Sequence, residues 1–161
     1  MSVRAVLYAT LAALAACSPM SADAGQKATA SAPARHPESG LAVVPLTIVS
    51  GKTRHAFRIE VARSGEEQAK GLMFRTALAP NEGMIFPMEP ARQASFWMKN
   101  TVISLDLVFI GPDKRIESIA ANAVPYSLSP INSRGQVAAV LELNGGRAAQ
   151  LGLAAGDRVE W

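Results

Sequence analysis

The chain has 161 residues and a formal net charge of +3 at pH 7, with one cysteine and two histidines. A single cysteine excludes an intramolecular disulfide, a Cys-x-x-Cys redox pair and zinc sites built from several cysteines. The basic residues are scattered along the sequence, whereas nucleic-acid binders cluster them on one face. We therefore expect no nucleic-acid partner, and in the absence of a strong cofactor motif we predict neither a cofactor nor a metal site.

Residues 1–16 have the features of a bacterial lipoprotein signal peptide. Arg4 supplies a positive charge, Ala5 to Ala13 form an apolar stretch too short to span a bilayer, and Leu14-Ala15-Ala16-Cys17 matches a lipobox. In such leaders the lipid is attached to the cysteine thiol. Ser18 follows the cysteine, so we expect an outer-membrane position facing the periplasm in a Gram-negative cell. The alternative is an ordinary secretory leader that leaves Cys17 unmodified.

Residues 18–40 are rich in Ala, Ser, Pro and Gly and contain no aromatic residue. Such a segment buries too little apolar surface to offset the entropy lost on ordering. Together with the lipidated Cys17, residues 17–40 are therefore expected to form a disordered tether between the membrane and a domain over residues 41–161. His36 lies in this segment and is expected to be a bystander.

The first half of the domain shows strand and helix patterns. Leu41–Val49 is apolar and β-branched, and Pro45 within it indicates an edge strand or a bulge. His55–Val61 alternates apolar and polar residues, as a strand with one buried face does. Ser64 and Glu67 form a capping box that opens a short helix through Lys70.

The remaining elements are short and separated by turn residues. A strand over Met84–Phe86 is expected to end at Pro87, and Ser95–Thr101 is treated as another strand. Leu105–Ile110 and Arg115–Ile119 flank a Gly-Pro turn and predict a hairpin. The chain then continues with a loop over 122–136, a strand over Val137–Leu143, a short helix over Arg147–Leu151, and a final turn and strand over Gly156–Val159.

This pattern predicts a single β-rich α+β domain. Roughly seven or eight short strands with one or two short helices are expected, and the strand–helix–strand alternation of a doubly wound parallel sheet does not occur. The predicted fold class is therefore mainly β, a compact and mostly antiparallel barrel-like or sandwich domain.

Several blocks of the sequence resemble the family called domain of unknown function 192. The blocks are Phe57–Val61, Glu67–Arg75, Gly83–Phe86, Phe96–Thr101, Leu105–Ile110, Val140–Leu143, Gly146 and Gly156-Asp157. The block FWMKNT followed by LDLVFI is quite specific. One departure is Ser104, where the family often has a proline. The resemblance implies a compact, β-rich, barrel-like fold, and it implies no activity.

The strongest candidate for a ligand site is the region from Trp97 to Asp106. On a strand, Trp97 and Lys99 share one face. The polar residues that could line a pocket beside Trp97 are Lys99, Asn100, Asp106 and Glu142. An aromatic ring with amide and carboxylate groups suits a sugar. The competing explanation is structural: Asp106 could pair with Lys99 or Arg75, and Asn100 could satisfy backbone groups in the loop.

Arg75 is a further candidate, because a guanidinium can clamp a carboxylate or a phosphate bidentately. It could equally lock the preceding helix to an acid in the core.

Three functions are therefore compatible with the sequence. The favoured one is a non-enzymatic binding or accessory module of the cell envelope, anchored to the membrane by lipid, that binds a small molecule, a glycan or a protein partner. The second is a hydrolase acting on envelope polymer with Asp106 and Glu142 as paired acid and base. The third is a purely structural lipoprotein.

Overall fold

The computed structural model describes residues 34–161, so the predicted leader, Cys17 and the first part of the tether lie outside the described residues. The elements in chain order are β1 (Val43–Ser50), β2 (Thr53–Val61), α1 (Gly65–Lys70), β3 (Glu82–Arg92), β4 (Ser95–Phe96), β5 (Leu105–Ile110), β6 (Ile116–Ala123), β7 (Ile131–Asn132), β8 (Val137–Asn144), α2 (Arg147–Leu151) and β9 (Arg158–Glu160). Neither of these two helices is long and apolar enough to cross a membrane.

Seven strands form one sheet in the order β6-β5-β8-β3-β2-β1-β9, while β4 and β7 form a small second sheet. Neighbours in the large sheet are antiparallel except for β2 and β3, which run parallel. The predicted mainly β, mostly antiparallel domain with short helices is thereby confirmed. The barrel-like form is wrong, because the sheet is not closed. Strand β9 has only three residues, and its Arg158 forms a single isolated bridge with Arg115, the residue before β6.

The large sheet carries a separate hydrophobic core on each face. The core on the α2 side contains Ile59, Val61, Val108, Leu141, Leu143 and Ala148, among others. The opposite core contains Leu72, Met84, Phe86, Met98, Leu107, Phe109 and Val140, among others. Successive residues of β5 and β8 therefore point into different cores, as the pleat of a strand requires.

Three prolines lie in strands, and two of them, Pro45 and Pro87, occupy positions where one neighbouring strand is missing. Pro45 of β1 pairs with β2 on one side, while β9 on the other side pairs only with Thr47–Val49. Pro87 was expected to end a strand, yet β3 continues through it to Arg92. The parallel pairing of β3 with β2 ends at Ile85. The lack of a backbone N–H at Pro87 therefore costs no hydrogen bond to β2.

The strand predicted over Ser95–Thr101 ends at Phe96. Asn100 has a left-handed backbone (φ 57°), and the Thr101 N–H donates to the Met98 carbonyl at 3.0 Å. These features make a turn, so the alternation of faces expected along the whole segment does not continue past Phe96.

Residues 34–40, assigned to the tether by composition, pack against the sheet. The Val43 N–H donates to the Ala34 carbonyl at 2.7 Å, and the Ser39 hydroxyl donates to the carboxylate of Glu60. His36 is not a bystander, because its Nε2 lies 3.7 Å from that carboxylate. Composition could not reveal this contact, since its partner is a buried acid on β2.

Gly83 allows β3 and β8 to approach closely. A Cβ atom there would lie 2.3 Å from the Glu142 carbonyl oxygen and 3.0 Å from the Leu143 side chain. We expect Gly83→Ala to lower the free energy of unfolding by about 1–3 kcal/mol in urea titrations, because the strands must move apart. Gly65→Ala is the control, since a Cβ in that first turn of α1 meets nothing within 4 Å. Equal losses in the two variants would contradict the close approach.

Candidate functional site

Asp106 is completely buried and joins three parts of the chain. One carboxylate oxygen accepts the backbone N–H groups of Asn122 (2.8 Å) and Gly146 (2.9 Å), and the other accepts that of Ala148 (2.8 Å). Gly146 is the N-cap residue of α2 and makes no side-chain cap hydrogen bond, so Asp106 caps this helix from β5. The structure thus places Asp106 in a structural network, with backbone amides rather than Lys99 as its partners.

Asp106 and Glu142 lie on opposite faces of the sheet. Across β5 and β8, Asp106 pairs with Leu143, whereas Leu107 pairs with Glu142. Because neighbouring side chains on a strand point to opposite faces, the sheet itself separates the two carboxyl groups. A glycosidase-type acid–base pair must flank one bond of the substrate. The geometry therefore excludes Asp106 and Glu142 as a catalytic pair.

Arg75 is buried and already has partners. Its two terminal nitrogens contact the Glu60 carboxylate at 3.1 and 3.2 Å, and its Nε lies 3.1 Å from Glu38. This bidentate pair fastens the chain after α1 to β2, the second of the two roles that the sequence allowed. The guanidinium is therefore not free to bind a ligand in this arrangement.

Asn100 serves the turn that follows Trp97. Its carbonyl accepts the Phe74 N–H at 2.8 Å, and its side-chain nitrogen lies 3.8 Å from the sulfur of Met73. The left-handed backbone at Asn100 is one that asparagine tolerates better than most residues. Asn100 thus shapes the turn between Lys99 and Thr101. These two neighbours line a pocket that Asn100 itself does not line.

The remaining three candidates, Trp97, Lys99 and Glu142, line one pocket of about 340 Å³. Its base is formed by strands of the large sheet, through Phe86, Met88 and Glu142. One wall consists of residues 68–73 at the end of α1, and the other of residues 92–97 with Lys99 and Thr101. The rings of Phe86 and Phe96 meet edge-to-face across the base, with centroids 5.1 Å apart.

Glu142 is a nearly buried acid at the base of this pocket. Its side chain is only 5 % exposed, and its strand neighbours on either side are Met84 and Leu107. Within residues 34–161 no side chain forms a hydrogen bond or an ion pair with its carboxyl group. Burial raises the pKa of Glu142 to about 8, so the carboxyl is mostly protonated at neutral pH and can donate a hydrogen bond.

The mouth of the pocket is cationic. Lys70, Arg92 and Lys99 line it, all three are exposed, and none forms an ion pair with another residue in the described range. The Lys99 ammonium lies 5.2 Å from the centre of the Trp97 ring, which is itself half exposed. Glu142 is the only acidic side chain among the lining residues.

Sequence reasoning missed several residues of the site. Lys70, Arg92, Phe86 and Phe96 line the pocket beside the three predicted residues. No spacing rule would have joined them, because they come from a helix end, two strands of different sheets and a bulged segment of β3. Within residues 34–161 no three His, Cys, Asp or Glu side chains are grouped to hold a metal ion.

The described part of the chain is a small domain in which one open mixed sheet places a nearly buried carboxyl group beneath a cationic mouth. The model of the family DUF192, described as "Uncharacterized ACR", matches residues 46–161, and the chain belongs to this family. The resemblance inferred from the FWMKNT and LDLVFI blocks is confirmed.

Two solved structures share this fold at high sequence identity. A protein of unknown function from Novosphingobium aromaticivorans is 57% identical with a TM-score of 0.79, and the match covers 82% of this chain and 94% of that one. A Sinorhizobium meliloti protein, provisionally described as a transcription regulator, is 40% identical with a TM-score of 0.73, covering 74% of this chain and 94% of that one. A comparison with curated proteins finds no match.

Proposed function

We propose that this chain is an exported, lipid-anchored envelope protein whose domain binds a small molecule in the pocket above Glu142. The observation that carries the binding proposal is the carboxyl group of Glu142, which has no protein partner within residues 34–161 and is nearly buried yet faces an open pocket. Among residues 34–161 the Glu142 oxygens are not counted with the solvent-inaccessible side-chain atoms that lack a partner, so they reach the open pocket. A ligand seated there would replace water as the hydrogen-bond partner of this carboxyl group.

Binding is favoured over catalysis because Glu142 is the only carboxyl group among the residues that line the pocket. Hydrolysis of a glycosidic bond generally uses two carboxyl groups in defined positions. The second predicted carboxylate, Asp106, is occupied by three backbone amides on the other face of the sheet.

The proposed anchor rests on the leader, with Arg4, the apolar stretch and the lipobox that ends at Cys17. Two or more acyl chains hold a protein stably at a membrane, since each buried methylene contributes about 0.8 kcal/mol. In this arrangement the domain faces the periplasm from the outer membrane, and the residues after Cys17 set its distance from the lipid.

Metabolic labelling tests the anchor. The full chain expressed in a Gram-negative host with labelled palmitate should carry the label and sediment with membranes, whereas Cys17→Ala should lose both properties. Ser18→Ala, which leaves the thiol in place, is the matched control and should keep the label. Labelling that persists in Cys17→Ala would refute the anchor.

A thermal-shift screen of the purified full chain tests the binding function. The panel contains peptidoglycan fragments, oligosaccharides and small organic acids, amides and amines. A ligand at 100 times its Kd adds about 2.7 kcal/mol to stability. Ala69 is exposed at the mouth of the pocket, so Ala69→Trp should fill the mouth and abolish the shift without altering the core. Shifts of equal size in the native chain and in Ala69→Trp would place the ligand elsewhere.

A further inference from the structure

We infer that the ligand is a small organic anion, with its charged group among Lys70, Arg92 and Lys99, its apolar body against Phe86 and Phe96, and an uncharged end that meets Glu142. This inference rests on the proposed binding function and names the chemical class that the pocket selects. The class is an aromatic or aliphatic acid, distinct from both an amine and a neutral sugar.

Charge is the first argument for an anion. Three cations line the mouth, and the only acidic side chain in the pocket is held protonated by its burial. The pocket therefore carries net positive charge at neutral pH. Carboxylate and phosphate groups form charge-assisted hydrogen bonds with lysine and arginine that are roughly twice as strong as neutral ones.

The walls and the volume describe the rest of the ligand. Apolar surface is presented by Phe86 and Met88 at the base and by Leu72 and Phe96 in the walls. A volume of about 340 Å³ lies at the lower end of the range for small-molecule sites, which is about 300–1,000 Å³. A single ring or a short chain fits this space.

Glu142 argues against a cationic ligand. An ammonium group at the base would require the carboxylate form of Glu142, and it would have to pass Lys70, Arg92 and Lys99 at the mouth. These cations are the only charged side chains besides Glu142 that line the pocket. An uncharged acceptor on the ligand requires neither ionisation of Glu142 nor passage of a cation through the mouth. The protonated carboxyl group donates a hydrogen bond to it directly.

Three probes of the same shape test the charge preference: benzoate, benzamide and benzylamine. Each is titrated into the full chain labelled with ¹⁵N, and the backbone amide shifts of the pocket residues are followed at pH 7. Benzoate should bind about tenfold more tightly than benzamide, the ratio expected for one charge-assisted hydrogen bond. Benzylamine should leave the pocket amides unshifted.

Variants of the mouth and the base assign this preference to residues. Lys99→Gln and Arg92→Gln should each weaken benzoate while leaving benzamide unchanged, and the exposed Lys52→Gln, outside the pocket, should change neither. In the native chain the affinity for benzoate should fall as the pH rises through about 8, where Glu142 ionises. Glu142→Gln keeps a neutral donor that does not ionise, so its affinity for benzoate should not fall as the pH rises through about 8.

The results separate the anion inference from the binding function. Tighter binding of benzamide or benzylamine than of benzoate at the pocket amides would overturn the anion inference and support the binding function. A silent pocket with all three probes would also overturn the anion inference, and a thermal-shift screen without hits would overturn the binding function itself.

Discussion

Asp106→Ala is expected to lower the free energy of unfolding by about 3–5 kcal/mol, because each buried donor left without its acceptor costs about 1–3 kcal/mol. The carboxylate accepts three backbone N–H groups, and the substitution leaves all three without their partner. Hydrogen bonds to a charged group each contribute about 1.5–3 kcal/mol. Since small domains are stable by only about 5–15 kcal/mol, this variant should unfold at a much lower urea concentration.

Asp113→Ala is the matched control for this measurement. Asp113 is exposed in the β5–β6 turn and accepts a single backbone N–H, that of Arg115, at 3.1 Å. Its loss should cost no more than about 1 kcal/mol. If the urea midpoints of the two variants coincided, Asp106 could not be the tie between β5, α2 and the end of β6.

Glu142 should make the domain less stable as the pH rises from about 5 to 8. The pKa of this carboxyl is about 8 in the folded chain and 4.5 in the unfolded reference. Between these values the folded state holds a proton that the unfolded state has released, so unfolding becomes easier with increasing pH. The slope approaches about 1.4 kcal/mol per pH unit, and the stabilisation present below the unfolded pKa is lost above the folded one.

Urea titrations of the native chain and of Glu142→Gln at each pH from 5 to 9 isolate this contribution. The variant lacks the titrating group, so the difference in unfolding free energy between the two chains should change over this interval and level off above pH 8. Glu142→Leu should be more stable than the native chain at pH 8, because no charge is then buried, and it should lose the hydrogen bond to the ligand. A constant difference from pH 5 to 9 would mean that Glu142 titrates normally.

Local features of the fold were predictable from sequence. The capping box at Ser64 and Glu67 is present in the structure, with both of its reciprocal hydrogen bonds. The β5–β6 hairpin and the short α2 were also found, because each depends on residues close in sequence. The lateral order of the sheet was not predictable, since β8 lies between β5 and β3 and the parallel pairing of β2 with β3 spans the whole of α1.

The candidate site was predictable in part, for a related reason. Trp97, Lys99 and Glu142 do line one pocket, whereas Asp106 faces the other core. Alternation along a strand relates each side chain to its neighbours, but it does not tell which face will be covered by α2 and which will carry a pocket. The sequence pattern of an acid among apolar residues is therefore the same whether that acid binds a ligand or caps a helix.

The base and the wall of the pocket differ in how many strand pairings hold them in place. Its base belongs to β3 and β8 at the centre of the large sheet, while the wall over residues 92–97 belongs largely to a bulged strand end and the two-residue ladder of β4 with β7. Substitutions in that wall disturb few sheet contacts, whereas changes at the base disturb the core that contains Phe86 and Met88. Related chains could thus diverge in the ligands that they recognise by altering the wall alone, while inheriting the carboxyl group at the base unchanged.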